Sequence, residues 1–170
     1  MRTFTPDQMR EVLDKHAAWL RGEPTGERAD LSWSNLSRSN LLWSDLSWSN
    51  LSGSNLSGAE GSALVVAMTR ILPAGDLIGW KKCSDGVLVK LRIPADAKRS
   101  HAFGRKCRAE YVDVLEVIGA EVGVTTVHGH ETRYVPGERV TPDKWDDNWQ
   151  QECSHGIHFF ITREEAEAWS

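Results

Sequence analysis

The stretch that decides the fold is residues 29–58, which read ADLSW, SNLSR, SNLLW, SDLSW, SNLSG and SNLSG. A degraded unit, AEGSA, follows at residues 59–63 and has Gly61 where the others have leucine. A period of five fits neither the 3.6-residue period of a helix nor the two-residue period of a strand. It fits a four-sided coil in which the leucine and the small residue two positions before it both point to the axis. Successive coils would stack at about 4.8 Å, so the pattern predicts β-structure rather than a Ser/Asn-rich linker.

The six intact units resemble the pentapeptide-repeat family, whose fold is a right-handed quadrilateral β-helix. Because four pentapeptides make one turn in that family, about seven units imply fewer than two coils. Gyrase-protecting members of the family have an acidic, DNA-like surface. The repeats of this chain are nearly uncharged and too few to imitate a duplex, so we exclude DNA mimicry.

Such a short coil has two open ends that need to be covered. Thr5 and Gln8 have the spacing of a capping box, with Pro6 at the first helical position. We therefore predict a helix from Thr5 to near Gly22 that covers the N-terminal end of the coil. The residues after the repeats would cover the other end.

After Gly61 the sequence changes to short β-rich runs separated by glycine and proline. The runs are Ala63–Met68, Leu77–Trp80, Val87–Ile93, Arg108–Ile118, Thr125–His128 and Ile157–Ile161. Thr162 and Glu165 repeat the capping-box spacing and predict a last helix. The predicted fold class is mostly β, or α+β, in three parts. A capping helix and lead-in occupy residues 1–28, and a short β-helix occupies residues 29–63. Residues 64–170 form an α+β domain that packs on the coil.

The chain from Gly79 to the C-terminus resembles an uncharacterised domain that accompanies pentapeptide repeats in phages and large DNA viruses. The matching stretches are GWKKC at 79–83, IPADAKRSHAFGRKCRAEY at 93–111 and ECSHGIHFFITREEAEAW at 152–169. The lead-in WLRGEPTGERADLS at 19–32 is similar to the opening of phage pentapeptide-repeat proteins. The resemblance implies a phage accessory protein, and it implies no particular chemistry.

The net charge of −4 hides an uneven distribution of charge along the chain. Residues 79–108 hold 9 basic and 2 acidic side chains, whereas residues 109–170 hold 4 basic and 13 acidic ones. Pro94 and Gly104 place the densest basic segment on a loop, and such a loop can cradle a phosphate group. The predicted phosphate ligands are Lys98, Arg99, Arg105, Lys106 and Arg108, and Trp145 or Trp149 would stack on a base. Intramolecular pairing with the many acids is the alternative, and a nucleic-acid partner is not expected because basic and aromatic residues do not alternate.

Three cysteines, an odd number, argue against a disulfide framework. Cys153, His155 and His158 are the only close-set zinc candidates, and the usual C-x₂-C spacing of structural zinc is absent. We therefore predict no cofactor, with zinc as a minor alternative. Cys153 with either histidine is also a candidate nucleophile–base pair. No catalytic motif supports it, so the sequence leaves enzymatic activity open and favours its absence.

Three of the eight tryptophans, Trp33, Trp43 and Trp48, occupy the outward position of their repeats. Exposure of an indole ring to water is energetically unfavourable, so we expect these tryptophans to pack on the C-terminal part of the chain or on a partner. The preferred function is a non-enzymatic phage accessory protein that captures an anionic nucleotide-like ligand, with a possible role against host defence. The alternative is an assembly protein that uses these tryptophans for homo- or hetero-oligomerisation. A cysteine-dependent hydrolase or transferase ranks third.

The expected partners are an anionic small molecule or a host protein, together with further copies of the chain. No apolar stretch approaches the roughly 20 residues that cross a bilayer, so no membrane partner is expected. Met1–Pro6 lacks the apolar core of a signal peptide, so we expect a cytoplasmic protein, in the host cytoplasm if it is phage-encoded.

Overall fold

The computed structural model describes residues 1–101, 104–127 and 129–169, and it is mostly β with some helix. The chain divides into two compact units. The first is Met1–Ile71 together with Gly104 and Gln150–Glu152, and the second is the remainder. Among the described residues, no helix has the length and apolar character needed to span a membrane.

The described residues form three α-helices and nine strands. In chain order they are α1 (Pro6–Leu20), α2 (Ser62–Thr69), β1 (Leu77–Lys82), β2 (Leu88–Ile93), β3 (Arg99–His101), β4 (Cys107–Ala109), β5 (Val112–Ile118), β6 (Gly123–Val127), β7 (His130–Tyr134), β8 (Arg139–Val140), β9 (Ile157–Phe159) and α3 (Arg163–Ala168).

The first helix, α1, begins as the sequence predicts. The Gln8 N–H donates to Thr5 Oγ1 at 3.2 Å, and the Thr5 N–H donates to Gln8 Oε1 at 2.9 Å, which completes the capping box. The helix buries His16, whose Nε2 lies 3.0 Å from the Ser47 carbonyl oxygen and whose Nδ1 accepts from the Ala29 N–H at 3.1 Å. Because Nδ1 accepts, the ring is neutral with its proton on Nε2. Burial lowers the pKa of His16, in keeping with that neutral form.

The repeats bring residues twenty positions apart into parallel pairs: Asp30 with Asn50, Asn35 with Asn55, and Asn40 with Glu60. Backbone bonds accompany these pairs, such as Leu31 N–H to the Asn50 oxygen at 2.8 Å. Twenty residues are four pentapeptides, so each coil returns the chain to a position beside its start. The repeats fit a β-helix, but their pairing consists of isolated bridges, and the described residues form no closed or solenoid sheet.

The repeat sequence is explained by local hydrogen bonds and by burial. The leucines that point inward and are fully buried are Leu31, Leu36, Leu41, Leu46 and Leu51. The Asp or Asn before each leucine accepts the N–H two residues on, as Asn40 Oδ1 does from Leu42 at 2.9 Å. This is an Asx turn, which fixes the corner. The small residue is a serine in most units, and the hydroxyls of Ser39, Ser49 and Ser54 each donate to the carbonyl three residues earlier, as Ser49 does to Leu46 at 2.7 Å. A buried hydroxyl thus keeps its hydrogen bond.

The last position of each repeat has left-handed backbone geometry. Glycine stands there at Gly53 and Gly58, but Trp33, Trp43 and Trp48 have φ values of 54°, 67° and 68°. A side chain in this conformation costs roughly 1–2 kcal/mol. The tryptophans are therefore held where the backbone alone would favour glycine.

The run Ala63–Met68, predicted as a strand, is helical and lies within α2, so that prediction is wrong. A short unbroken apolar run does not distinguish a strand from a buried helix. Gly61, with φ of 79°, redirects the chain at the N-cap, and α2 then buries Val65 and Thr69.

The second unit contains three antiparallel sheets, with strand orders β1-β2-β5-β8, β3-β4-β9 and β6-β7. The predicted run Arg108–Ile118 falls on two strands, β4 and β5, which a bend at Glu110 separates. The basic segment is not a single loop, because β3 and β4 pair within it; its residues 102 and 103 lie outside the described residues, as does His128 at the end of the predicted run Thr125–His128. Thr162 and Glu165 form the predicted capping box of α3.

Candidate functional site

Arg99, a predicted phosphate ligand, is half-buried and binds the backbone. Its guanidinium donates to the carbonyl oxygens of Pro73 at 3.0 Å and Pro94 at 2.7 Å, and also to those of Gly75 and Ile93. The fork of a guanidinium suits several acceptors at once. Arg99 thus connects the segment before β1 to the end of β2.

Arg108, on β4, is only 1% exposed. Its Nη1 donates to the carbonyls of Asp146 at 3.1 Å and His155 at 2.9 Å, and its Nη2 donates to that of Asn148 at 2.9 Å. The guanidinium carbon lies 5.6 Å from the centre of the Trp145 ring. Arg108 is therefore the centre around which the irregular segment before β9 is organised.

The remaining three predicted phosphate ligands have different surroundings. Arg105 forms an ion pair with Glu165, and Lys98 Nζ lies 3.5 Å from Asp147 Oδ2. Lys106 Nζ donates to Cys153 Sγ at 3.3 Å and lies 4.7 Å from the centre of the Trp169 ring. The five basic side chains do not converge on one point. In the described part of the chain, Lys106 alone among them has neither a carboxylate nor a backbone carbonyl partner.

The two tryptophans predicted to stack on a base are both half-buried. The Trp145 Nε1–H donates to Asp147, and its ring packs against Gly156, where an added Cβ would lie 3.1 Å from the ring. The Trp145 ring is thus in contact with both Arg108 and Gly156. The acidic loop packs on the domain around these contacts.

The zinc and nucleophile candidates Cys153 and His155 have different hydrogen-bond partners. Cys153 is exposed beside Lys106, and His155 Nδ1 lies 3.4 Å from Asp143 Oδ1. No three His, Cys, Asp or Glu side chains of the described residues are grouped as a metal site. The other two cysteines are buried, and burial raises the pKa of Cys83 to about 11 and that of Cys107 to about 12.

Lys81 has an unusual environment in the structure, and the sequence alone did not mark it as a functional residue. Lys81 Nζ donates to the His158 carbonyl at 3.1 Å and lies 5.6 Å from the centre of the Tyr134 ring. Burial, with a smaller contribution from the charge of Lys106, lowers the pKa of Lys81 to about 8. The alternation of β1 puts Lys81 on the face of the buried Leu77 and Gly79, a signal that the sequence contains.

A cavity of about 570 Å³ lies in the first unit between α1, the N-terminal residues and the first repeat. Its charged lining is paired within itself: Lys15 lies 3.2 Å from both Glu11 and Glu27, and Arg2 lies 3.7 Å from Asp30. These charges therefore need no ligand to balance them.

The three outward tryptophans differ in exposure and in direction. Trp43 is 96% exposed, Trp33 63% and Trp48 38%. Because four repeats make one coil, residues ten positions apart, such as Trp33 and Trp43, are half a coil apart and face opposite sides. The structure does not bring the three together on one surface.

Trp43 has other exposed apolar neighbours. Leu42 precedes it, and Gly61, the residue before α2, lies so close to the Leu41–Leu42 peptide that a Cβ would meet it at 3.0 Å. The helix therefore starts beside the Leu41–Leu42 peptide, and its exposed Leu64 and Met68 share one face at i, i+4 spacing. We call Leu42, Trp43, Leu64 and Met68 the Trp43 patch.

Comparison with known families finds two matches. Residues 27–60 match pentapeptide repeats in eight copies, and residues 68–166 match a family of unknown function, DUF5758. No curated protein and no solved structure matches the chain significantly. Because the second match covers more than half of the chain, this protein belongs to the DUF5758 family and has pentapeptide repeats before that domain.

Proposed function

We propose that this protein is a non-enzymatic assembly protein whose Trp43 patch docks on a second copy of the chain. The observation that carries the proposal is Trp43 itself. Its indole is almost fully exposed while its backbone is left-handed, so the residue is unfavourable for hydration and for backbone energy. Gly53 and Gly58 show that the repeat accepts glycine at this position. Strain of this kind at an exposed aromatic residue is typical of a functional contact.

The chemistry of the patch favours self-association. Its four side chains are apolar and uncharged, so two copies can meet without like-charge repulsion. Tryptophan and methionine are enriched in the centres of protein interfaces, and most homo-oligomers use one self-complementary surface. The sequence-based preference for nucleotide capture by five basic residues has less support, because four of them have internal partners.

Two finer features belong to the same proposal. The repeats would form a right-handed quadrilateral β-helix of fewer than two coils, which the twenty-residue pairing supports. The assembly would act in phage-infected cells, as the resemblance to phage pentapeptide-repeat proteins implies. Interference with host defence would be one use of such an assembly.

The test is the oligomeric state of the full chain, measured by sedimentation velocity over a range of concentrations. We expect the wild-type protein to form a dimer that Trp43→Gly converts to a monomer. Trp33→Gly is the matched control, because it removes an indole at the equivalent repeat position on the opposite side and should leave the dimer intact. A wild-type protein that stays monomeric at all concentrations, or a Trp43→Gly variant that still dimerises, would overturn the proposal.

A further inference from the structure

We propose that Cys153 and Lys106 form an oxidative modification site, at which a peroxide converts their hydrogen-bonded contact into a covalent sulfur–nitrogen bond. Both residues belong to the second unit, and Cys153 is the exposed one of the three cysteines. The site is separate from the Trp43 patch and does not depend on the assembly function.

The side chains of Lys106 and Cys153 are in direct contact. Lys106 Nζ donates to Cys153 Sγ at 3.3 Å, and the same Nζ lies 4.7 Å from the centre of the Trp169 ring. Within the described part of the chain, the thiol takes the place that a carboxylate or a carbonyl oxygen usually has beside a lysine. The lysine stem is flexible, so a small movement brings its nitrogen from this contact to bonding distance of the sulfur.

The backbone on both sides of this contact is held in place. Lys106 immediately precedes β4, which pairs with β3 and with β9. Cys153 lies two residues before His155, whose carbonyl oxygen accepts a hydrogen bond from the buried Arg108 Nη1 at 2.9 Å. The contact therefore joins two anchored segments of the chain.

Exposure makes Cys153 the thiol that a peroxide reaches. Oxidation of a cysteine depends on its exposure and on formation of its thiolate. Cys83 and Cys107 are buried, and burial raises the pKa of Cys83 to about 11 and that of Cys107 to about 12. At Cys153, by contrast, the ammonium group of Lys106 faces the reacting sulfur. Peroxide should therefore oxidise Cys153 and leave the other two cysteines as thiols.

The reaction has two steps, and hydrogen peroxide is the oxidant. First, the Cys153 sulfur gives an electron pair to the peroxide, the O–O bond breaks, and a sulfenic acid and a water molecule form. Lys106 Nζ then loses a proton to water and attacks the sulfenic sulfur. The S–N bond forms, the S–O bond breaks, and hydroxide leaves as water with a proton from the amine. Sulfenic acids condense with backbone nitrogen in the same way, and here a lysine supplies the nitrogen.

The test is treatment of the full chain with hydrogen peroxide, followed by alkylation of the remaining thiols in denaturant, trypsin digestion and mass spectrometry. Before alkylation the chain should be about 2 Da lighter than the reduced protein, because the new bond removes two hydrogen atoms. Trypsin should release Lys106–Arg108 joined to Trp145–Arg163. Cys107 should be alkylated in the joined peptide, which excludes a disulfide as the link. Dithiothreitol should separate the two peptides.

Lys106→Arg is the matched control, because arginine keeps the positive charge but has no primary amine. In this variant the oxidation of Cys153 should stop at the sulfenic acid, which the reagent dimedone labels, and no joined peptide should form. In the wild-type protein the amine should consume the sulfenic acid, so dimedone should label Cys153 only weakly.

Two outcomes would overturn the site. One is a wild-type protein in which Cys153 ends as a sulfenic acid, a sulfinic acid or a disulfide between two chains, without the joined peptide. The other is a Lys106→Arg variant that becomes about 2 Da lighter just as the wild type does. The Trp43→Gly variant should form the sulfur–nitrogen bond normally, so failure of one proposal is distinguishable from failure of the other.

Discussion

In both the repeats and the C-terminal domain, arginine side chains donate hydrogen bonds to backbone carbonyls that have no partner in a helix or sheet. The two regions differ in whether these arginines are exposed or buried. In the repeats the donors lie at the edge of the first coil: Arg2 donates to the carbonyls of Asp30 and Ser32, and Arg28 to that of Trp48. In the domain the donors are Arg99 and Arg108, and Arg108 is buried. Water replaces an exposed donor such as Arg2 more easily than a donor that is itself buried, such as Arg108. Loss of a cation should therefore cost far more in the domain.

The largest effect should come from Arg108→Met. Three partly buried carbonyls lose a charged donor and the buried side chain leaves its packing, so we expect the free energy of unfolding to fall by about 3 to 5 kcal/mol. Urea unfolding monitored by circular dichroism measures this loss. Arg2→Met is the matched control at the coil edge, and it should cost about 1 kcal/mol or less because water can solvate the carbonyls it leaves. Equal losses for the two variants would contradict the comparison.

A second prediction separates the inside of the coil from its surface. Leu46→Ala empties a fully buried axial position and should cost about 2 to 5 kcal/mol. Leu42→Ala makes the same chemical change at an exposed position and should change stability by about 0.5 kcal/mol or less. The same unfolding measurement compares them. A large loss for Leu42→Ala in the monomer would mean that the Trp43 patch is part of the core.

A third prediction concerns pH and His16. Its pKa is lowered in the folded protein, so below about pH 6.5 the unfolded chain takes up a proton that the folded chain does not. Stability should be constant above that pH, with respect to this group, and should fall as the pH drops below it. Protonation would break the bond from the Ala29 N–H to Nδ1.

The measurement is the urea midpoint between pH 8 and pH 5 for the wild type and His16→Gln. His16→Gln should be less stable than the wild type at pH 8, but its stability should decrease less between pH 8 and pH 5. His130→Gln, at an exposed position on β7, is the control and should keep the full decline. An unchanged slope in His16→Gln would show that other groups cause the acid sensitivity.

The last prediction is a small effect of opposite sign, a gain of stability in Trp43→Gly. Relief of the left-handed strain, roughly 1–2 kcal/mol, is offset by the greater freedom of glycine in the unfolded chain, about 0.5–1 kcal/mol. The monomeric form should thus be unchanged or up to about 1.5 kcal/mol more stable. A clear loss of stability, measured below the dimer concentration, would mean that the indole has a structural partner within the chain.

Sequence reasoning succeeded where the deciding interactions are local. The five-residue period, the inward leucines and both capping boxes depend on residues a few positions apart, so their pattern is visible in the chain. The roles of Arg99 and Arg108 depend on carbonyls brought from distant segments, such as Pro73 and His155, and composition alone suggested a ligand for them. The prediction of a strand at Ala63–Met68 failed for a different reason. The apolar residues there have no periodicity that distinguishes a helix from a strand. The position of Lys81 on the buried face of β1 could be predicted from the alternation of side chains along a strand, but only once β1 itself had been assigned.

The pairing of residues twenty positions apart also limits how the repeat region can change in length. Each pentapeptide advances the chain by a quarter of a coil, so deletion of one unit preserves the buried leucines but rotates everything after it to the adjacent side. Deletion or insertion of four units restores the original direction. The number of repeats modulo four therefore sets the side on which α2 leaves the coil, and with it the side that its exposed leucine and methionine share with the residues around Leu42. Lineages of such proteins are therefore expected to gain or lose repeats in whole coils wherever that juxtaposition is under selection.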